Sequence, residues 1–136
     1  MTIEAAATGL HARLETISAL KKVYDAKELP NSIPVFPSAI ILMGTTDYYK
    51  TFTNKLDVVF RVIIVVGGVD NPAAANELLD FKEISGDDSV VAAVEGDSTL
   101  GGNADDAVVK SNSGLGTTQW GRHNLISTEF EVICYV

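Results

Sequence analysis

Residues 55–67, KLDVVFRVIIVVG, constrain this chain more than any other stretch. Val58, Phe60, Val62, Ile64 and Val66 fall on one face of an extended segment, and past Arg61 the opposite face turns apolar too, with Ile63 and Val65. The residues are largely β-branched, which suits a pleated and buried surface. The longest apolar run, Val62 to Val66 with Gly67 and Gly68 after it, is far too short to span a bilayer. The segment therefore reads as a strand whose second half is buried on both sides, as in a sheet centre covered by helices. A chain of 136 residues has room for one such core.

The rest of the chain is read around that strand. Ile3, Ala6, Ala7, Leu10, Leu14 and Ile17 recur at three- and four-residue intervals and predict an N-terminal helix, with Thr2 as its N-cap. LKKVYDA, residues 20–26, predicts a short strand, and Pro30, Pro34 and Pro37 make residues 29–37 an irregular connection. SAIILMGTTDYY, residues 38–49, predicts the partner arm of a hairpin whose tip is KTFTN. Asp70-Asn71-Pro72 starts a helix with a stripe of Ala75, Leu78, Leu79 and Ile84. Asp87-Asp88 caps a shorter helix running to Glu95, with Val90, Val91 and Val94 inside and Gly96 as its left-handed C-terminal residue. Residues 104–111 predict a strand, 114–123 (GLGTTQWGRH) a flexible turn region, and 124–136 a closing strand. In that strand Ile126, Thr128, Phe130, Val132 and Cys134 oppose Ser127, Glu129 and Glu131. Strands grouped by hairpins, with the helices inserted together, predict a single α+β domain over residues 1–136. Its sheet is mainly antiparallel or mixed, has four to five strands, and packs with an N-terminal helix and two central helices.

Charge is unevenly placed. Between Asp70 and Asp106 stand ten acidic residues (Asp70, Glu77, Asp80, Glu83, Asp87, Asp88, Glu95, Asp97, Asp105, Asp106) against the single base Lys82. That segment carries −9 of a net −8, and the remainder of the chain +1. A surface of that sign repels phosphate, which argues against nucleic-acid binding by charge and leaves open a face past which nucleic acid slides without sticking. The lone cysteine, Cys134, offers no internal disulfide, zinc set or redox pair. With no basic stretch leading an apolar one at the N-terminus, the expectation is a soluble protein made in the cytoplasm.

EGDSTLGGNADDAVV, residues 95–109, is the chain's most suggestive loop. Calcium in an EF-hand needs oxygen ligands at alternate positions and a glutamate at the twelfth; counting from Asp97, Gly101 is fifth and Val108 twelfth. A looser divalent site of Asp97, Asp105 and Asp106 is the metal option left. A P-loop needs a lysine and a hydroxyl where Gly102 and Asn103 stand. VVGGVDNP lacks the third glycine of a dinucleotide fingerprint. No G-x-S-x-G occurs, and His11 and His123 read as surface residues. Cys134 reads as a small hydrophobe, and the paired carboxylates as helix caps and wet strand positions. The expectation is a protein without catalytic residues or cofactor. Tyr48, Tyr49 and Phe52 at the hairpin tip, with Leu115 and Trp120 in the later loop, put apolar bulk where loops meet solvent. Either they anchor a protein interface or they fold back over the domain's own core.

The order of these motifs resembles the tail terminator, or tail completion, proteins of long-tailed bacteriophages, those of actinobacterial phages above all. The resemblance runs through LETISALKKVYD, PSAIIL, DYYKTF, KLDVVFRVIIVVGGVDNPAAANELLD, SVVAAVEGDSTLGGNADDAVV and EFEVICYV, most of the chain. The family's D-P-T-L-G-G-x-x-D-D run is matched by Asp97-Ser98-Thr99-Leu100-Gly101-Gly102 and Asp105-Asp106, with Ser98 in place of proline. Residues 114–123 match loosely. The resemblance implies a virion protein that forms a hexameric ring, caps the tail tube, ends its polymerisation and joins it to the head connector. Its partners would be copies of itself, the major tail tube protein and the connector, with genome DNA passing through unbound and no membrane or cofactor involved. On that reading Asp70, Glu77, Asp80, Asp87 and Asp88 are candidates to face the channel. The alternatives are another neck or tail component, such as a tube or head completion protein, or a divalent-metal-dependent hydrolase built on Asp97, Asp105 and Asp106.

Overall fold

The computed structural model describes residues 2–27, 29–48, 56–70 and 72–136. Thr2 caps the first helix, its hydroxyl accepting the Ala5 N–H at 3.0 Å, and α1 runs Ile3–Leu14. Its apolar stripe, Ala6, Ala7, Leu10 and Leu14, is buried, and Ile17 is buried just beyond it. The strands are β1 (Lys22–Tyr24), β2 (Ser38–Tyr48), β3 (Leu56–Gly68), β4 (Asp106–Asn112), β5 (Gly116–Trp120) and β6 (His123–Tyr135). A 3-10 helix at Pro72–Glu77 runs into α2 (Leu78–Lys82), and α3 (Val90–Glu95) follows. All six strands form one mixed sheet, ordered β1-β2-β3-β6-β4, with β5 also paired to β6. The β1–β2 pair is parallel and the rest are antiparallel. This is a single α+β domain.

The central position expected for residues 55–67 is where β3 lies, between β2 and β6. Its inner face meets that of β6 in register, Phe60 opposite Val132, Val62 opposite Phe130 and Ile64 opposite Thr128. These side chains join α1, α2 and α3 in one core that includes Leu10, Leu78, Phe81, Val90 and Val94. Each fully buried aliphatic or aromatic side chain there contributes about 1.5–3 kcal/mol, so the ladder is the main stabilising element. The outer face departs from expectation. Ile63, Val65 and Leu125 are buried there under Ile33, Phe36, Leu42 and Trp120. The proline-rich connection and the β5–β6 hairpin cover them, because every helix is spent on the inner core.

Four further local expectations are corrected. Residues 114–123 are a hairpin arm: β5 pairs with β6 from Gly116 opposite Ser127 to Trp120 opposite His123. Gly121, at φ 62°, supplies the left-handed residue the turn requires. The helix after Pro72 begins as 3-10, which rotates its buried stripe to Ala74, Leu78 and Phe81 and leaves Leu79 and Ile84 exposed at 64% and 79%. Ser89, and not Asp87-Asp88, caps α3, its hydroxyl accepting the Ala92 N–H at 3.0 Å and donating to the Glu83 carbonyl. Gly96 is right-handed at φ −64°, and the left-handed residues come later, at Leu100, Gly101 and Gly102.

Candidate interaction surfaces

The loop after α3 is built as a piece of the core. Asp97 organises it: one carboxylate oxygen accepts the Thr99 hydroxyl at 2.8 Å and the other accepts the Gly101 N–H at 3.1 Å. The Thr99 hydrogen bond, and after it the Gly101 N–H and the Arg13 guanidinium, hold the Asp97 carboxyl below its ordinary value, with desolvation opposing them. The chain then turns through Leu100 at φ 52°, a conformation costly for a bulky residue. Burial of the Leu100 side chain offsets that cost, since only 1% of it is exposed. Gly9 of α1 makes room for the turn: a Cβ at that position would lie 2.6 Å from the Leu100 carbonyl oxygen and 2.8 Å from its Cβ. Asn103 closes the turn, its amide donating to the Leu100 carbonyl at 2.9 Å.

The three aspartates of the metal option are used separately. Asp97 is spent on its own turn, and Asp106 accepts the Ala107 N–H at 3.0 Å. The Asp105 N–H donates to the Tyr135 carbonyl at 2.7 Å as β4 begins. Among the described residues, no three His, Cys, Asp or Glu side chains gather as a metal set. His11 has both ring nitrogens engaged, Nε2 at 2.9 Å from the Val23 carbonyl oxygen and Nδ1 at 2.9 Å from a Glu15 carboxylate oxygen. His123 is exposed at the start of β6. Burial pushes the Cys134 thiol up to about 12, so it is inert as a nucleophile.

The interface candidates divide. Tyr48 is 64% exposed at the end of β2, and Leu115 is 69% exposed before β5. Tyr49 and Phe52 lie outside the described residues. Trp120 folds back: its indole N–H donates to the Pro30 carbonyl at 2.9 Å, and its ring packs on the outer-face cluster. Met43, which the sequence reading passed over, is 72% exposed beside Gly44, on the same arm as Tyr48. An apolar residue at an inward register position in a strand gives no signal of exposure by pattern.

On the outer face, a cleft of about 450 Å³ is lined by Arg61, Ile63, Thr118, Trp120, Ser127 and Glu129. Two pairs of its polar side chains bond to each other. Arg61 donates from Nε at 3.0 Å and from Nη2 at 2.6 Å to one Glu129 oxygen, and the Thr118 and Ser127 hydroxyls are 2.7 Å apart. The channel candidates Asp70, Glu77, Asp80 and Asp87 are exposed, and Asp88 is half-buried. Together with Glu83 they follow the Gly68 end of β3, which its 13 residues separate from the Tyr48 end by roughly 40 Å. The β2 arm thus exposes Met43 at mid-strand and Tyr48 at its end, and the chain leaves the other end of β3 as an acid-rich segment in which Leu79 and Ile84 are exposed as well. No protein-family profile matches the chain, and no curated protein matches it.

Proposed function

We propose that this chain is a structural subunit of a long-tailed bacteriophage, a tail terminator whose copies form a ring on the end of the tail tube. The ring ends tube polymerisation and joins the tail to the head connector. The resemblance in motif order motivates this reading, and the run of exposed carboxylates that follows β3, with Tyr48 exposed roughly 40 Å away at the far end of the β2–β3 pair, is the observation that carries it. On β2, Met43 at mid-strand and Tyr48 at its end offer the kind of large apolar and aromatic side chains that anchor protein contacts. After β3, exposed carboxylates from Asp70 to Asp87 suit a wall that DNA passes without adhering, since they repel the phosphate backbone. A divalent-metal hydrolase is the weaker reading, because Asp97 and Asp106 each already accept hydrogen bonds from their own loop.

The test is tube growth. Polymerising tail tube protein from the same phage, mixed with this protein, should yield tubes of limited length with a ring at one end in negative stain. The double variant Met43→Ser/Tyr48→Ser, folded by circular dichroism, should leave tubes uncapped. Tubes that grow unchanged in the presence of the parent protein would overturn the proposal.

A further inference from the structure

Among the described residues the sheet is open along β1 and residues 41–48 of β2 on one side, and along β4 and β5 on the other. β1 is a three-residue edge, too short to template much of a strand, and His11 Nε2 already sits 2.9 Å from its Val23 carbonyl oxygen. β4 is longer, seven residues, and such an edge invites a strand from another chain. In an antiparallel ladder alternate residues turn their N–H groups away from the partner strand. Two alternate N–H groups of β4 meet carboxylates instead of β6. The Ala107 N–H donates to Asp106 Oδ1 at 3.0 Å, and the Val109 N–H donates to Glu95 Oε2 at 3.2 Å. Glu95 reaches across from the last turn of α3, and both acids are exposed. Just past Val109 the register with β6 shifts, an irregularity that further spoils the edge as a template.

We infer that Glu95 and Asp106 are edge guards: they occupy the outward N–H groups of β4 so that no strand of a second copy adds there. An incoming strand would have to displace two charge-assisted hydrogen bonds and bring its carbonyls up against two carboxylates. Copies of this chain therefore do not extend the sheet by adding a strand at β4. The guard works in the same way whether or not the copies form a ring.

The experiment compares the parent with Glu95→Ala/Asp106→Ala and with Glu95→Gln/Asp106→Asn, by amide hydrogen exchange at low concentration and light scattering at rising concentration. The substitutions are at exposed positions, so all three should fold alike. In the alanine variant the Ala107 and Val109 amides should exchange about fivefold faster, the loss of roughly one net hydrogen bond each. That variant should also grow with concentration beyond the parent's size, and regain protection at those two amides as it does. The Gln/Asn variant keeps its acceptors and should behave like the parent. Unchanged exchange at both amides in the alanine variant would overturn the guard, as would growth of the Gln/Asn variant equal to that of the alanine variant.

Discussion

Gly9→Ala sets helix propensity against packing and gives opposite signs for each. In an isolated helix the change should stabilise by about 1 kcal/mol, because alanine loses less backbone entropy than glycine. Here the added methyl would lie 2.6 Å from the Leu100 carbonyl oxygen, 2.8 Å from the Leu100 Cβ and 3.1 Å from the Asn103 amide nitrogen. The first of these is backbone, in a turn already fixed by Asp97 and by a left-handed Leu100, and it cannot swing aside as a side chain end would. Overpacking of this kind costs typically about 1–3 kcal/mol and here must exceed the propensity gain. The net expectation is a loss of about 1 kcal/mol, a fall in Tm on the order of 4 °C, measured by calorimetry or by urea denaturation followed with circular dichroism. An unchanged or raised Tm would mean that the 97–103 turn does not rest on α1, and the reading of that loop as core architecture would fail.

Asp97→Asn should lower stability at neutral pH, with the difference shrinking in acid. The folded carboxyl sits below its ordinary 3.8, so its contribution is present above that value and is lost as pH falls through the lower folded one. Urea midpoints of the two proteins should converge below that value, and a constant gap would contradict the Thr99, Gly101 and Arg13 assignment. Trp120→Phe should cost about 1–2 kcal/mol by leaving the Pro30 carbonyl without its indole donor, read as a lower urea midpoint. Cys134, buried and with its thiol raised to about 12, should resist a thiol reagent at mildly alkaline pH until denaturant is added; rapid labelling of the folded protein would contradict its place in the core.

What could be read in advance follows from how local each signal is. β3 and β6 carry period-two patterns long enough to fix their inward faces, though not that they pair with each other, and Thr2 with its apolar stripe fixes α1. β5 hid because GLGTTQWGRH holds three glycines and few apolar residues; its pairing comes from the Gly121 turn and from β6, which a local pattern cannot supply. The stripe of Ala74, Leu78 and Phe81 was obscured by the 3-10 start, which changes the period midway. The cap expected of Asp87-Asp88 goes to Ser89, the residue that also reaches back to the Glu83 carbonyl. At the candidate surfaces, Tyr48 and Leu115 were legible as exposed, whereas Trp120 is held by Pro30, a contact 90 residues away. The edge roles of Glu95 and Asp106 depend on which strand ends the sheet, a property of the whole topology.

The proposed function is tested most directly by electron cryomicroscopy of tail tubes assembled with this protein. The expected image is a closed ring of copies at one tube end, with Met43 and Tyr48 at protein contacts and Asp70, Glu77, Asp80 and Asp87 toward the bore. Tube ends without density for this chain, or a ring with those acids on its outer wall and Tyr48 in solvent, would contradict it.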